Sequence, residues 1–236
     1  MFQLIGLALT AVWLAIVGIW FRRSTPVLVG GLVVIAVYSL AAWIFGIAEP
    51  VDVGLNSPGS WWKTVLFSVI WTGMMFAYSP VADSIASRWV ETPPTLDAFR
   101  PLQDSTAKLL TGIAIAWVLG GFLEELVFRG VVVNSFTTLL TPSLGEAPSA
   151  FLGIFVAAAG AALVHFYQGP RAMIIIAQLS VLFGLAFVLA GYNLWAAILC
   201  HGFYDTIAFI RFALKKSAYS NLDAKTAEAP SKPNSN

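Results

Sequence analysis

Long apolar runs, separated by short polar groups, set the pattern of this chain. An α-helix needs about 20 apolar residues to cross the hydrocarbon core of a bilayer. Windows of that kind are centred on residues 2–21, 26–48, 62–82, 109–134, 149–168, 171–190 and 192–213. The pattern therefore predicts an all-α fold, a polytopic transmembrane helical bundle of about seven spans, with six to eight as the range.

The composition agrees with a membrane environment. Hydrophobic residues make up 58% of the chain and charged residues 11%, with a mean hydropathy of +0.82, whereas a soluble domain carries roughly 25% charged residues. The net charge of +1 provides no basic face for nucleic acid, so we expect no nucleic-acid partner. We predict an integral, multi-pass membrane protein whose surroundings are the lipid bilayer.

The positions of lysine and arginine predict the orientation, because both accumulate in cytoplasmic loops beside the spans. Lys63 falls outside if the N-terminus is outside. The basic residues that then fall inside are Arg22, Arg23, Arg88, Arg100, Lys108, Arg171, Arg211, Lys215 and Lys216. We therefore predict an external N-terminus and a cytoplasmic C-terminus, in the plasma membrane if the source is bacterial. No basic residue precedes the first run, so we expect it to stay as a span rather than be cleaved as a signal peptide.

The C-terminal residues differ from the rest in composition. Residues 217–236 mix Ala, Lys, Ser, Pro and Asn with few bulky apolar side chains. Such a segment buries too little apolar surface to fold. We predict a transmembrane bundle over residues 1–216 and a disordered polar tail over residues 217–236.

Three charged residues interrupt the fourth apolar run, namely Glu124, Glu125 and Arg129. A charge at the bilayer centre costs about 2.5–3.5 kcal/mol on insertion scales, so it is a functional-site hypothesis by default. Helix geometry places Glu125 and Arg129 on one face, where they can pair, while Glu124 points about 100° away and has no cation at that spacing. Glu124 is therefore our candidate general base. The alternative is that all three charges only hold helices together.

The chain contains two histidines, and each falls in a later apolar run. His165 lies near the end of the fifth run and His201 lies in the last, four residues before Asp205. Their depths differ, because a rise of 1.5 Å per residue places His165 about 7 Å nearer the inner side. An early end of the fifth helix near 169–170 would close this gap. Together with the glutamate pair, these residues indicate one polar site inside the bundle.

At these positions the sequence resembles the Abi/CPBP family, membrane proteases that include the endoproteases that trim prenylated CAAX proteins. The EExxxR motif is intact at 124–129, and the HxxxD form of a later motif is present at 201–205. The FxxxH motif departs at its first position, where Ala161 precedes His165. The resemblance covers approximately residues 105–213.

The resemblance implies an intramembrane endopeptidase, a hydrolase acting on membrane-associated proteins that include prenylated CAAX types, and it implies no cofactor. Glu124 and His165 would activate a water molecule, and His201 with Asp205 would stabilise the oxyanion. An ionised Asp205 repels an oxyanion, so we favour a role for it in orienting His201. Glu125 and Arg129 are predicted to support the site.

Other functions fit parts of the same pattern. Zinc is the nearest alternative, since Glu124, His165, His201 and Asp205 are also the ligand types of a catalytic zinc site, although the HExxH pattern is absent. A non-catalytic immunity or scaffold protein of the same family is a second alternative. A proton-relaying transporter and a nucleophilic Cys200 are weaker ones.

Overall fold

The computed structural model describes residues 1–19 and 25–227, and this part of the chain is helical without any β-strand. The prediction of an all-α bundle is confirmed. The α-helices are α1 (Phe2–Ile19), α2 (Thr25–Ile44), α3 (Trp61–Ser87), α4 (Thr106–Ala116), α5 (Asn134–Leu144), α6 (Glu146–Val164), α7 (Pro170–Leu189) and α8 (Leu194–Ala227). Short 3₁₀ helices occupy Pro50–Val53, Asp97–Gln103 and Phe166–Gln168.

Two π-helical segments, Trp117–Glu124 and Leu126–Val133, join α4 to α5 in one helical run from Thr106 to Leu144. Most π-helices are single-turn bulges inside α-helices, and they are frequent at functional sites. The expectation of a regular α-helix across this span is therefore wrong. Glycines within the π-helical segments lower the local preference for an α-helix, and the charged residues of the EExxxR motif lie in the same stretch.

Six helical segments among the described residues are long and apolar enough to cross a membrane. These are Val27–Ile44, Trp61–Ser87, Thr106–Leu144, Glu146–Val164, Pro170–Leu189 and Leu194–Lys215. Helix α1 is apolar but shorter. Each of the seven predicted windows corresponds to one helix or helical run, so a multi-pass membrane protein is confirmed. The orientation predicted from lysine and arginine stays a prediction.

Close contact between α6 and its neighbours is made through small side chains. Ala157, Ala158, Gly160, Ala161 and Ala162 are all buried along this helix. A Cβ atom on Gly160 would come within 2.9 Å of the ring of Phe128, so a larger residue would push the helices apart. Helix α6 packs on α5 and α7, while α3 packs on α7 and α8.

Helix α6 ends at Val164, before the Gly169–Pro170 pair that the sequence indicated. His165 follows with a non-helical backbone (φ −96°, ψ 11°), and a 3₁₀ turn leads to Gly169 at φ +95°. This positive φ favours glycine, and Pro170 then begins α7 with its φ already suited to a helix. The early end frees the His165 side chain from the regular helix.

Helix α8 continues to Ala227, whereas we predicted a disordered tail from residue 217. Extending an existing helix avoids the nucleation penalty of starting one, and the sequence contains no proline between residues 217 and 227. The rest of the predicted tail, residues 228–236, lies outside the described residues. The division of the chain at residue 216 stays a prediction.

Candidate active site

The four residues that we predicted to be catalytic line one cavity. Glu124 comes from the end of the first π-helical segment, His165 from the turn after α6, and His201 and Asp205 from α8. The cavity has a volume of about 450 Å³, which is within the usual range for small-molecule sites. Residues distant in sequence therefore converge as the two histidines suggested.

Glu125 and Arg129 form a buried ion pair beside this cavity. Arg129 Nη1 donates to Glu125 Oε1 at 3.0 Å, and the two side chains are 2% and 0% exposed. Arg129 Nη2 also donates to the carbonyl oxygen and the hydroxyl of Ser180 on α7, at 2.8 and 2.6 Å. The predicted pairing of Glu125 with Arg129 is confirmed, and it extends to a third helix.

His201 is held by Glu125 from the same side. Its Nδ1 lies 2.7 Å from Glu125 Oε1, the oxygen that also accepts from Arg129. The ring stacks on Phe183 with a centroid separation of 4.7 Å, and the Arg129 guanidinium lies 5.3 Å from the centre of that same phenyl ring. Glu125 therefore connects the buried arginine to a histidine of the cavity, a link that the sequence did not indicate.

Asp205 lies on the other side of the His201 ring. The distance between His201 Nε2 and Asp205 Oδ2 is 3.5 Å, longer than the 2.7–3.2 Å of an ordinary N–H···O hydrogen bond. The expected proximity of these two residues is present. The shorter of the two contacts to the ring is the one with Glu125, and Nε2 is the ring nitrogen beside the cavity.

His165 is oriented by its own helix. Its Nδ1 lies 2.8 Å from the carbonyl oxygen of Ala161. A carbonyl only accepts, so Nδ1 carries the proton, and Nε2 of a neutral ring keeps its lone pair. Ala161, where the related motif has Phe, is 4% exposed and lines the cavity. Its backbone rather than its side chain fixes the histidine.

The turn that carries His165 is fixed from its far end by α3 and the segment after it. Arg171 donates from Nε and Nη2 to both carboxylate oxygens of Asp83, at 2.8 and 2.7 Å. The backbone N–H of Thr95 donates to the carbonyl oxygen of Gln168 at 2.9 Å. A bidentate arginine pair restricts both distance and angle, so these contacts hold the start of α7 against α3.

Glu124 has surroundings unlike those of its neighbour Glu125. Its side chain is half-buried and lines the cavity. Among the described residues its carboxyl group forms no hydrogen bond or ion pair. A carboxylate with free lone pairs at a cavity wall has the geometry needed to accept a proton from a bound water molecule.

Sequence reasoning missed three residues that shape the site. Ser180 and Phe183 both lie on α7, three residues apart and so on one face, where they contact Arg129 and His201. A serine inside an apolar helix was the only signal for the first, and a phenylalanine there is indistinguishable from a lipid-facing one. Gly120, which also lines the cavity, gave no chemical signal at all.

The described residues contain no group of three or more His, Cys, Asp and Glu side chains placed to hold a metal ion. The Nδ1 atoms of His165 and His201 are both engaged by oxygen atoms of the protein. The observed arrangement therefore does not fit a zinc site, and no step below is derived through a metal. Cys200 is fully buried, contacts the carbonyl oxygen of Ser68, and does not line the cavity.

A bundle of apolar helices with two imidazoles and two carboxyl groups around an internal cavity is the architecture of an intramembrane site. Residues 106–207, a little under half of the chain, match the family model described as type II CAAX prenyl endopeptidase Rce1-like. The match confirms the resemblance that the motifs predicted. No curated protein and no solved structure matches the chain.

Proposed function

We propose that this protein is an intramembrane endopeptidase that hydrolyses peptide bonds of membrane-associated proteins. The observation that carries the proposal is the meeting of Glu124, His165, His201 and Asp205 at one cavity. Each comes from a helix or helix end that is otherwise apolar. Burying so many polar groups in a membrane bundle is expensive unless they have a function.

Glu124 and His165 are proposed to activate the attacking water. Glu124 has no cation or hydrogen-bond donor engaging it among the described residues, so its oxygens are available to the water. His165 presents Nε2 as an acceptor because Nδ1 is engaged by Ala161. One of these groups removes the proton as the water oxygen attacks the scissile carbonyl carbon, and the second keeps the water in place.

His201 is proposed to stabilise the oxyanion that forms in this attack. In its doubly protonated form it would donate from Nδ1 to Glu125 and from Nε2 to the developing negative charge. Glu125, at 2.7 Å, is better placed than Asp205 to orient the ring. Asp205 then flanks Nε2 on the cavity side, and in its protonated form its carboxyl group supplies a second donor to the same oxyanion.

The proposed substrate is a peptide near the membrane surface whose flanking portion is apolar. One part of the cavity wall is formed by apolar side chains from the 3₁₀ helix at Asp97–Gln103, from the run that begins with α4, and from α8. These are Ala98, Phe99, Leu102, Ile115, Leu119 and Phe209. A wall of this kind suits a hydrophobic or lipid-bearing chain, and the prenylated CAAX proteins named by the family description are the substrate class that we propose.

The direct test compares peptide termini in membranes from cells that express the native chain or Glu124→Gln at equal levels. We expect new termini with the native protein that are absent with the variant. Glu91→Gln is the matched control, because Glu91 is an exposed glutamate that does not line the cavity. It should produce the native set of termini.

Two results would separate the alternatives. Identical termini with the native chain and Glu124→Gln, both folded and abundant, would contradict the peptidase proposal and favour a binding or scaffold role. Termini lost equally in Glu91→Gln would show that the difference came from expression rather than from the site.

A further inference from the structure

Gly120 is the residue that allows the helix backbone to come close to His201 and Asp205. It lies four residues before Glu124, is buried, and lines the cavity. A Cβ atom placed on it would lie 3.1 Å from His201 Nε2 and 3.1 Å from Asp205 Oδ2. A single added methyl group would therefore touch both of the groups that we assign to the oxyanion.

Only part of this crowding can be relieved by movement. His201 is fixed by its 2.7 Å contact with Glu125 and by stacking on Phe183. Non-bonded heavy atoms pack best at about 3.5–4.0 Å, so a methyl group at 3.1 Å would have to displace Asp205 or distort the ring position. Either change alters the space in front of His201 Nε2.

We propose that Gly120 is a positioning residue that keeps this space open for the carbonyl oxygen of the substrate. Glycine permits a close approach between the protein backbone and a ligand because it has no Cβ. The peptide to be cleaved would pass over Gly120 with its scissile carbonyl directed at His201 Nε2. This inference rests on the proposed peptidase function and adds the direction from which the peptide approaches.

The neighbouring residue provides a matched control. Gly121 is also buried in the same π-helical segment. A Cβ on Gly121 would meet the carbonyl oxygen of Ile198 at 3.5 Å and the backbone of Gly202 at 3.6 and 3.7 Å, all ordinary contacts with α8. The two glycines therefore differ in what they face, while a change to alanine has the same chemical size at both.

The experiment compares Gly120→Ala and Gly121→Ala with the native chain, each purified in detergent and given a farnesylated CAAX peptide. For Gly120→Ala we expect kcat/KM to fall by about 100-fold, the effect of a misplacement of about 1 Å at a reacting centre. The fall should lie in kcat more than in KM, because the oxyanion contact is made in the transition state. Gly121→Ala should cleave within about threefold of native, the scale of a minor packing change.

Thermal unfolding and a double substitution distinguish positioning from a structural role. Alanine has the higher helix propensity, so neither variant should unfold below the native temperature. In an Asp205→Ala background the methyl group has room, and the effect of Gly120→Ala on kcat should shrink, which is the non-additivity expected of residues in contact.

Native cleavage rates in Gly120→Ala would overturn the inference while leaving the peptidase proposal intact. An equal loss of activity and stability in both alanine variants would overturn it as well, because that result indicates packing alone. If the native protein cleaves neither the peptide nor any membrane protein, the peptidase proposal itself fails and the inference fails with it.

Discussion

Glu124 and Glu125 are neighbours in sequence but lie in two different regions of the molecule. Glu125 belongs to a closed network in which its Oε1 contacts Arg129 at 3.0 Å and His201 at 2.7 Å, and its side chain is 0% exposed. Glu124 belongs to the cavity wall and forms no hydrogen bond among the described residues. The same side chain is thus fully engaged in one region and free to react in the other.

The difference indicates how a membrane protein can combine a stable site with a reactive one. Burying an ionised group is tolerated when it is paired and hydrogen-bonded, and the network supplies those partners from α7 and α8. The carboxyl group left without partners is available for proton transfer. The predictions below test whether stability and reactivity separate along this line.

Arg129→Met should have the largest effect, and it should act on stability. The substitution leaves Glu125 buried without its cation, and breaking a buried pair by removing one partner destabilises by about 3–5 kcal/mol. Thermal unfolding in detergent should show a large fall in the midpoint temperature. Changing both residues, as Arg129→Met with Glu125→Gln, should recover part of that loss because no unpaired charge remains.

Two graded controls accompany this prediction. Ser180→Ala removes one of the two oxygens that accept from Arg129 Nη2 and keeps the backbone carbonyl, so its effect should be smaller, about 1–2 kcal/mol. Arg100→Met removes an exposed cation that pairs with Asp97, and such surface pairs contribute little. Equal midpoints for Arg129→Met and Arg100→Met would contradict a stabilising role for the network.

His165→Ala should affect the rate and leave stability nearly unchanged. His165 contacts the protein through one bond to its own helix, from Nδ1 to the carbonyl oxygen of Ala161, so little packing is lost. General acid–base groups contribute roughly 10²–10⁴-fold to rate, and cleavage of a farnesylated CAAX peptide should fall by that order. Native cleavage rates in a folded His165→Ala protein would remove this residue from the mechanism.

Removal of metal ions should have the smallest effect, which is none. The described residues hold no three-ligand cluster, so treatment with a zinc chelator such as 1,10-phenanthroline should leave cleavage at the untreated rate. Activity that is lost on chelation and restored by added zinc would instead support the metal-dependent alternative, with Glu124, His165, His201 and Asp205 as its ligands.

Much of this architecture follows from simple periodicity and from rare charges. Seven apolar windows corresponded to seven helices or helical runs, because the bilayer fixes the length of a span. The Glu125–Arg129 pair followed from their spacing of four residues. The meeting of His165 with His201 followed from the rarity of histidine in apolar runs and from the family motifs.

Other features depend on tertiary contacts that the sequence does not encode locally. The π-helical form of residues 117–133 has no established sequence signature. The bond between Glu125 and His201 joins residues 76 positions apart, and helix periodicity carries no information on such a pair. Gly120 carries no functional group, so only the position of its neighbours reveals its importance.

The central claim, that adjacent glutamates have separate roles, is tested most directly by measuring cleavage and thermal unfolding of Glu124→Gln and Glu125→Gln side by side. The account predicts that Glu124→Gln unfolds like the native protein and loses cleavage by roughly 10²–10⁴-fold. It predicts that Glu125→Gln unfolds at a clearly lower temperature, because Arg129 and His201 lose a shared anionic partner. A folded Glu124→Gln protein that cleaves at the native rate would contradict the account.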